Sequence, residues 1–300
     1  MVEDSERSKV LELIKTHPVV CVYHGTCQDG LGAGWVVDSY LHTVKGHKEY
    51  IKDVTYVQGV YGVVAPELNN LEGKVLILTD FSYKRNTMRR LAATAKHILV
   101  LDHHASAERD LVDLPDNVTV DFRMDESGST VAWKFFYPDT TVPSLLNYIR
   151  DRDLWLFELE GTKEISAALF SYPYSFGTID MFINAPEVLI VEGEAICRRA
   201  TADIQSLLPI VTRTMKISGY TVPVANLPLV FTSEAGNILA ENQPFAACYW
   251  DTATGRVFSL RSVEGGVDVS KIAELFNGGG HKHAAGFKLS YEEAATLEIH

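Results

Sequence analysis

The chain has 300 residues, of which 46% are apolar and 22% charged, with a formal net charge of -12; this suits a soluble globular protein long enough for two domains. The acidity argues against a partner such as long duplex nucleic acid, whose binding needs many Lys and Arg set against phosphates; the surplus Asp and Glu read first as a solubilising surface and second as part of a cation-holding site. No apolar run reaches the roughly 18 residues of a membrane span, Met1 to Ser8 holds no leader-like segment, and Cys21, Cys27, Cys197 and Cys248 show no paired spacing, so the expectation is a cytoplasmic chain with reduced thiols and no membrane association.

In chain order, the first half alternates short β-branched runs with helix-like stretches, the pattern of an α/β domain with a mostly parallel sheet. Val19 to Tyr23 reads as a buried strand, followed by a glycine-rich turn and a helix near Leu31 to Tyr40. Lys74 to Thr79 and His97 to Leu101 are two more strands, the first leading into a helix over Lys84 to Ala95 and the second into a polar loop. A fourth strand is expected at Val118 to Phe122. Ser127, Gly128 and Ser129 then cap a helix through Trp133 to Phe136, and another helix covers Ser144 to Arg150. Pro186 to Arg213 reads as one long amphipathic helix, broken or kinked near Pro209. Beyond it, Phe245 to Asp251 and Arg256 to Arg261 flank a Thr-Ala-Thr-Gly turn as in a hairpin, before a helix at Ser270 to Phe276 and the glycine run Gly278 to Gly280. The predicted organisation is a parallel-sheet α/β domain over residues 1–185, a helical connector over 186–213 and a smaller α/β domain over 214–300.

Ligands of open parallel sheets bind beyond the carboxyl ends of the strands. The three clearest strands end in His24 with Asp29, in Asp80, and in Asp102, His103 and His104. Taken singly, each has a simpler reading, since an Asp after a strand commonly caps the next helix. Capping does not call for histidines, however, and caps need not face one crevice. Converging carboxylates repel one another unless cations lie between them, and mixed carboxylate and imidazole donors suit manganese, iron or zinc. A carboxylate shared by two ions serves to polarise a phosphoryl group and to supply hydroxide near neutral pH.

The stretch LDHHAS, Leu101 to Ser106, resembles the motif that names the DHH phosphoesterases, and HGTCQDGLGAGW, His24 to Trp35, is similar to the first motif of that family. Asp80 in LTDFSY resembles the second motif, DRDLW (Asp151 to Trp155) the fourth, and GGGHKHAAGF (Gly278 to Phe287) the signature of the DHH-associated substrate-binding domain. The motifs stand in the family's order and span almost the whole chain. The resemblance implies a parallel-sheet DHH domain joined by a helical connector to a smaller α/β domain, and two divalent cations, manganese first, with magnesium, cobalt or iron(II) as alternatives. It places His24, Cys27 and Asp80 around one cation and Asp29, Asp80, His103 and Asp153 around the other. It makes Asp80, Asp102, His103 and His104 the catalytic set, with Asp102 orienting His103 and His104 touching substrate or the leaving oxygen. Cys27 stands where the family commonly has Asp, and is either a softer ligand or a spectator thiol. Asp153 is preferred to Asp151, which can instead pair with Arg150 or Arg152. In the second domain Arg261, Gly278, Gly279, Gly280 and His281 are implied to bind substrate; Arg261 by itself reads equally as an exposed strand-end residue, and His283 fits either role poorly.

The implied activity is hydrolysis of phosphodiesters in short oligonucleotides or dinucleotides by in-line attack of metal-activated water, with the second domain closing on the nucleotide end. Phosphoadenosine phosphate phosphatase, or pyrophosphatase and exopolyphosphatase, are alternatives on the same centre. The rival from another class is a catalytically impaired nucleotide-binding or sensing protein, with Cys27 marking a degraded first site. A homodimer completes the expectation.

Overall fold

The computed structural model describes residues 2–45 and 54–297, which divide into two compact units, Met1–Cys197 and Arg198–His300. In the first unit α1 (Asp4–Thr16) precedes β1 (Val19–His24), α2 (Gln28–Lys45), β2 (Val54–Gly59), β3 (Val75–Thr79), α3 (Arg85–Ala92), β4 (His97–Asp102), α4 (Ala105–Asp110), β5 (Val118–Phe122) and α5 (Gly128–Phe136). The strands form one parallel sheet in the order β2-β1-β3-β4-β5. Every residue of β3 and β4 is buried. Both faces of these strands must therefore be apolar, and each Val, Leu or Ile so covered contributes roughly 1.5–3 kcal/mol. Alternation along the strands sends Cys21, Ile77, Leu99 and Leu101 into one core with Val36 of α2 and Val131 of α5. The intervening Val22, Leu76, Leu78 and Val100 enter a second core with Met88 and Leu91 of α3.

From β1 the chain runs outward to β2 and returns to β3 on the other side, so the strand order reverses between β1 and β3. Connections diverge there and leave a crevice at the carboxyl ends. Helices α6 (Ser144–Asp153), α7 (Thr162–Ser171) and α8 (Phe176–Phe182) follow, and α9 (Ile190–Val211) carries the chain from the first unit into the second. The long helix predicted from Pro186 begins with a separate 3-10 turn, Pro186–Leu189, and is not broken at Pro209. Proline there removes one bond in the last turn, where little helix remains to be lost.

The second unit holds β6 (Thr212–Ile217), β7 (Tyr220–Asn226), α10 (Thr232–Ala240), β8 (Ala246–Thr252), β9 (Gly255–Arg261), α11 (Val269–Leu275), β10 (Gly279–His281), β11 (Ala284–Leu289) and α12 (Tyr291–Ala294). Its sheet runs β10-β11-β9-β8-β7-β6 and is antiparallel except at β7–β8. The predicted hairpin is β8 and β9, with Asp251 opposite Arg256. Two of the three glycines in the run pair as an edge strand, Gly279 with Gly286 and Gly280 with Ala285. The protein is thus an α/β chain with a parallel-sheet domain and a smaller mixed-sheet domain. Among the described residues, no helix is long and apolar enough to cross a membrane.

Candidate metal centre

Three neighbouring parallel strands deliver ligand groups to one place. His24 ends β1, Asp80 follows β3 and Asp102 ends β4, with His103 and His104 just beyond. Asp80 leaves its strand in the left-handed region, at φ 52°, a conformation that costs a non-glycine residue on the order of 1 kcal/mol or more. Its N–H donates to the Leu101 carbonyl at 2.9 Å, which ties the turn to β4. Gly128 closes over this turn: a Cβ there would collide with the Cβ of Asp80, so only glycine lets α5 begin at this point. The first two amides of α5, from Gly128 and Ser129, donate to Asp29 Oδ2 at 2.5 Å and Oδ1 at 2.9 Å. A helix N-terminus thus holds Asp29, which itself lies in the first turn of α2. Gly30 next to it is equally constrained, since a Cβ would run into the His24 carbonyl oxygen.

Asp80 occupies the middle of the cluster. His103 Nε2 donates to its Oδ1 at 3.1 Å, and His24 Nδ1 lies 3.4 Å from its Oδ2. The same His103 nitrogen lies 3.7 Å from Asp29 Oδ2 and 3.5 Å from Asp153 Oδ2. Donor atoms of His24, Cys27 and Asp80 all lie within 4.8 Å of one another, as do those of Asp29, His103 and Asp153, and those of Asp80, Asp102, His103 and His104. Asp102 differs from its expected role of orienting the His103 ring. Its Oδ1 accepts from His104 Nδ1 at 2.7 Å and meets His103 through the backbone N–H at 2.7 Å, while Oδ2 accepts from the Ser82 hydroxyl at 2.6 Å. The strand-end carboxylate is therefore spent on the His104 ring and the turn. Asp151, the other acid of DRDLW, accepts from the amides of Glu158 and Leu159 and from the Thr162 hydroxyl. It fixes the loop after α6, and Arg152 stacks over Trp155 at 4.3 Å.

Several residues that position the centre carry no local sequence signal. The Tyr174 hydroxyl, far along the chain, donates to the carbonyls of His24 and Cys27 at 2.9 and 3.0 Å and so fixes the turn between β1 and α2. Ser82 is visible only as a hydroxyl two residues after Asp80. The Ser127-Gly128-Ser129 turn reads as a helix cap, and its capping box with Thr130 is present, but its service to Asp29 depends on a contact across about a hundred residues of chain.

The electrostatics are those of carboxylates crowded together. Burial, followed by the charges of Asp80 and Asp153, pushes Asp29 up to about 7, and burial with Asp80 beside it raises Asp153 as well. Burial opposes the charge on Asp80 too, but the His103 hydrogen bond and the facing His24 imidazole outweigh it and hold that carboxyl below the usual range. Burial likewise disfavours the His103 cation, yet the Asp80 hydrogen bond and the surrounding carboxylates raise it to about 10. Burial and the same three acids push the Cys27 thiol well above its ordinary value. Two carboxylate oxygens, Asp80 Oδ2 and Asp153 Oδ2, are buried without a hydrogen bond. Buried oxygens left over among oxygen and imidazole donors match the needs of divalent cations, so the cluster can hold metal ions.

In the second unit, Arg261 ends β9 and is half-buried. Its Nη1 donates to Ser259 Oγ at 3.0 Å and the Leu260 carbonyl at 2.8 Å, and its Nη2 to Ser233 Oγ at 2.8 Å. Gly278 precedes β10, which contains Gly279, Gly280 and His281. His283 has a structural place, its Nδ1 lying 2.9 Å from Ser262 Oγ and its carbonyl accepting from the Ser262 amide.

Residues 235–297 match the DHHA1 domain family. The chain is 29% identical over 290 residues to an uncharacterized protein of Acanthamoeba polyphaga mimivirus, covering 90% of this chain and 67% of that protein. Its fold is similar to that of a DHH-domain structure described as a member of a family of ribosomal proteins, with a TM-score of 0.64 at 14% identity over 97% of this chain and 90% of that one. It is also similar to RecJ of Thermus thermophilus in complex with Mn2+, with a TM-score of 0.55 at 15% identity over 96% of this chain. The match spans 52% of that RecJ chain, about half its length. Residues 235–297 thus belong to the DHHA1 domain family, and the chain as a whole shares its fold with a DHH-domain structure.

Proposed function

We propose that this protein is a metal-dependent phosphodiesterase that hydrolyses short oligonucleotides or dinucleotides. The observation that carries the reading is the pair of buried, unbonded oxygens on Asp80 and Asp153, in a crevice shared with His24, Asp29 and His103. Each ion so buried costs several kcal/mol unless opposite charge meets it. The Mn2+ described in T. thermophilus RecJ, which shares the fold, supports manganese as the first choice of metal, ahead of magnesium, cobalt or iron(II). His24, Cys27 and Asp80 would hold one cation, and Asp29, Asp80, His103 and Asp153 the other. Bound there, the cations would supply Lewis-acid charge for the phosphoryl oxygens and an ionised water for in-line attack.

The chain's own groups do the positioning. The α5 amides fix Asp29 before any ligand arrives, and Ser82 and Asp102 fix the His104 ring. His104 then serves as a hydrogen-bond donor to a phosphoryl or leaving oxygen. Arg261, Gly278, Gly279, Gly280 and His281 are assigned to the nucleotide part of the substrate, with Arg261 already oriented by its two serines. A chain of net charge -12 favours a short substrate met through cations over a long polyanion met through basic residues.

The test is turnover of a substrate panel with manganese: diadenylate, RNAs of two to five nucleotides, cyclic dinucleotides, phosphoadenosine phosphate and pyrophosphate, with products followed by chromatography. The expected result is cleavage of linear dinucleotides that stops on chelation. Tight binding of a dinucleotide without cleavage of any member would replace this reading with a sensing protein. Cleavage of pyrophosphate or phosphoadenosine phosphate alone would move the activity to those substrates.

A further inference from the structure

Strand β2 pairs with β1 so that Gly59 lies opposite His24, and the Gly25 amide donates to the Gly59 carbonyl at 3.0 Å. The chain leaving β2 therefore emerges beside the ligand-bearing end of β1. It turns at Gly62, where φ is 83°, and sets the Tyr61 ring over the centre. The ring centroid lies 4.8 Å from Phe81, 5.3 Å from His24 and 6.3 Å from His104. Phe81 directly follows Asp80 and is 0% exposed, whereas Tyr61 is 53% exposed. One side of the tyrosine is thus backed by a fixed aromatic floor while the rest of it faces solvent. Val60 and Val63 flank it and are exposed as well, at 57% and 56%, so the outer rim of an otherwise charged crevice is apolar.

An aromatic ring backed by a buried ring but left open beside a phosphate-handling centre has the properties of a stacking platform. Every nucleobase offers a π-face to such a ring, and the stack is tolerant of base identity. A phosphate held near His24 and His104 leaves its flanking base within one nucleoside's reach of Tyr61. We infer that Tyr61 is a stacking ledge for the nucleobase next to the scissile phosphate, which makes it a residue of substrate selection that favours base-bearing phosphodiesters. The inference rests on the phosphodiesterase reading.

The experiment compares wild type, Tyr61→Ala, Tyr61→Phe and Tyr61→Trp in manganese, using diadenylate and an analogue of it that lacks both bases. Steady-state KM and kcat are measured beside equilibrium binding of each compound, with manganese binding by calorimetry as a control on the centre. Expected is a KM and Kd for diadenylate raised roughly 10- to 100-fold in Tyr61→Ala, the worth of a base–aromatic stack, with kcat and manganese affinity unchanged. The base-free analogue should be handled alike by wild type and Tyr61→Ala, and Phe and Trp should restore the preference for bases. An unchanged diadenylate Kd in Tyr61→Ala would overturn the ledge, and so would a Tyr61→Phe as weak as Ala, which would transfer the role to the hydroxyl. If wild type binds diadenylate without cleaving it, the phosphodiesterase reading falls while the Kd ratio still judges Tyr61. If wild type neither binds nor cleaves it, both readings are overturned.

Discussion

At the carboxyl end of the parallel sheet, Asp29, Asp80 and Asp153 converge on His103 and leave two buried oxygens without a hydrogen bond. At the end of β9 in the second unit, the Arg261 guanidinium is met by two serine hydroxyls and a backbone carbonyl. Both are half-buried or buried charged sites at strand ends, yet one is complete within the protein and the other is not. The difference is chemical. A guanidinium can be satisfied by neutral oxygens, which also hold its planar fork in a fixed direction. Three carboxylates cannot satisfy each other, so protons or cations must complete them. In the proposed function the first region takes up ions, and the second contributes an oriented charge.

Removing the shared carboxylate is the most direct way to break this contrast. Asp80→Ala is expected to lower turnover at least about a thousandfold and to reduce the manganese bound from two ions to one or none, with the fold kept by circular dichroism. Full manganese binding and substantial activity in that variant would mean that the incomplete cluster is not the centre. In the second unit, Arg261→Ala should raise KM roughly 10- to 100-fold with kcat little changed, the cost of a charge-assisted contact to a bound phosphate. Arg261→Lys should not restore it, because an ammonium cannot reproduce the oriented fork; a fall in kcat at constant KM would move Arg261 into the reaction itself.

The pH dependence of metal binding bears most directly on mechanism. Without metal, His103 is held up to about 10 and Asp29 to about 7. Both shifts mean that protons occupy the cluster at neutral pH and must leave when a cation enters. Manganese affinity should therefore rise with pH, by about tenfold per unit while one proton is displaced, and more steeply below about 7 where Asp29 adds a second. Calorimetry in two buffers of different ionisation enthalpy counts the protons released. A manganese affinity that is flat from pH 6 to 9 would show that the carboxylates are already free of protons, and that the cluster does not need completing.

The strands bearing the ligands were legible because a buried parallel strand must be apolar on both faces, which leaves a continuous run such as Val75–Thr79 or His97–Asp102. Strand β2 was not, since Val54–Gly59 is an edge strand with alternating exposure and polar residues within it. Helices α7 and α8 were missed for a different reason, their cores being completed by residues of other helices rather than by a strong face of their own. The roles within the centre divide in the same way. That His24, Asp80 and His103 lie at strand ends follows from local pattern. That Asp102 serves the His104 ring, that Asp151 serves a loop, and that Gly128 must lack a side chain follow only from contacts between distant segments.

The sequence by itself determined the class of the protein: buried parallel strands, an acidic net charge, and a set of hard-cation donors at strand ends, because apolar periodicity and residue chemistry are local properties. Only the tertiary structure decided which carboxylate is spent on positioning, which amides hold Asp29 and which aromatic ring stands open at the rim. Those outcomes depend on a few ångströms between side chains brought from far apart, and burial and pairing are set by the packed neighbours rather than by the residues alone.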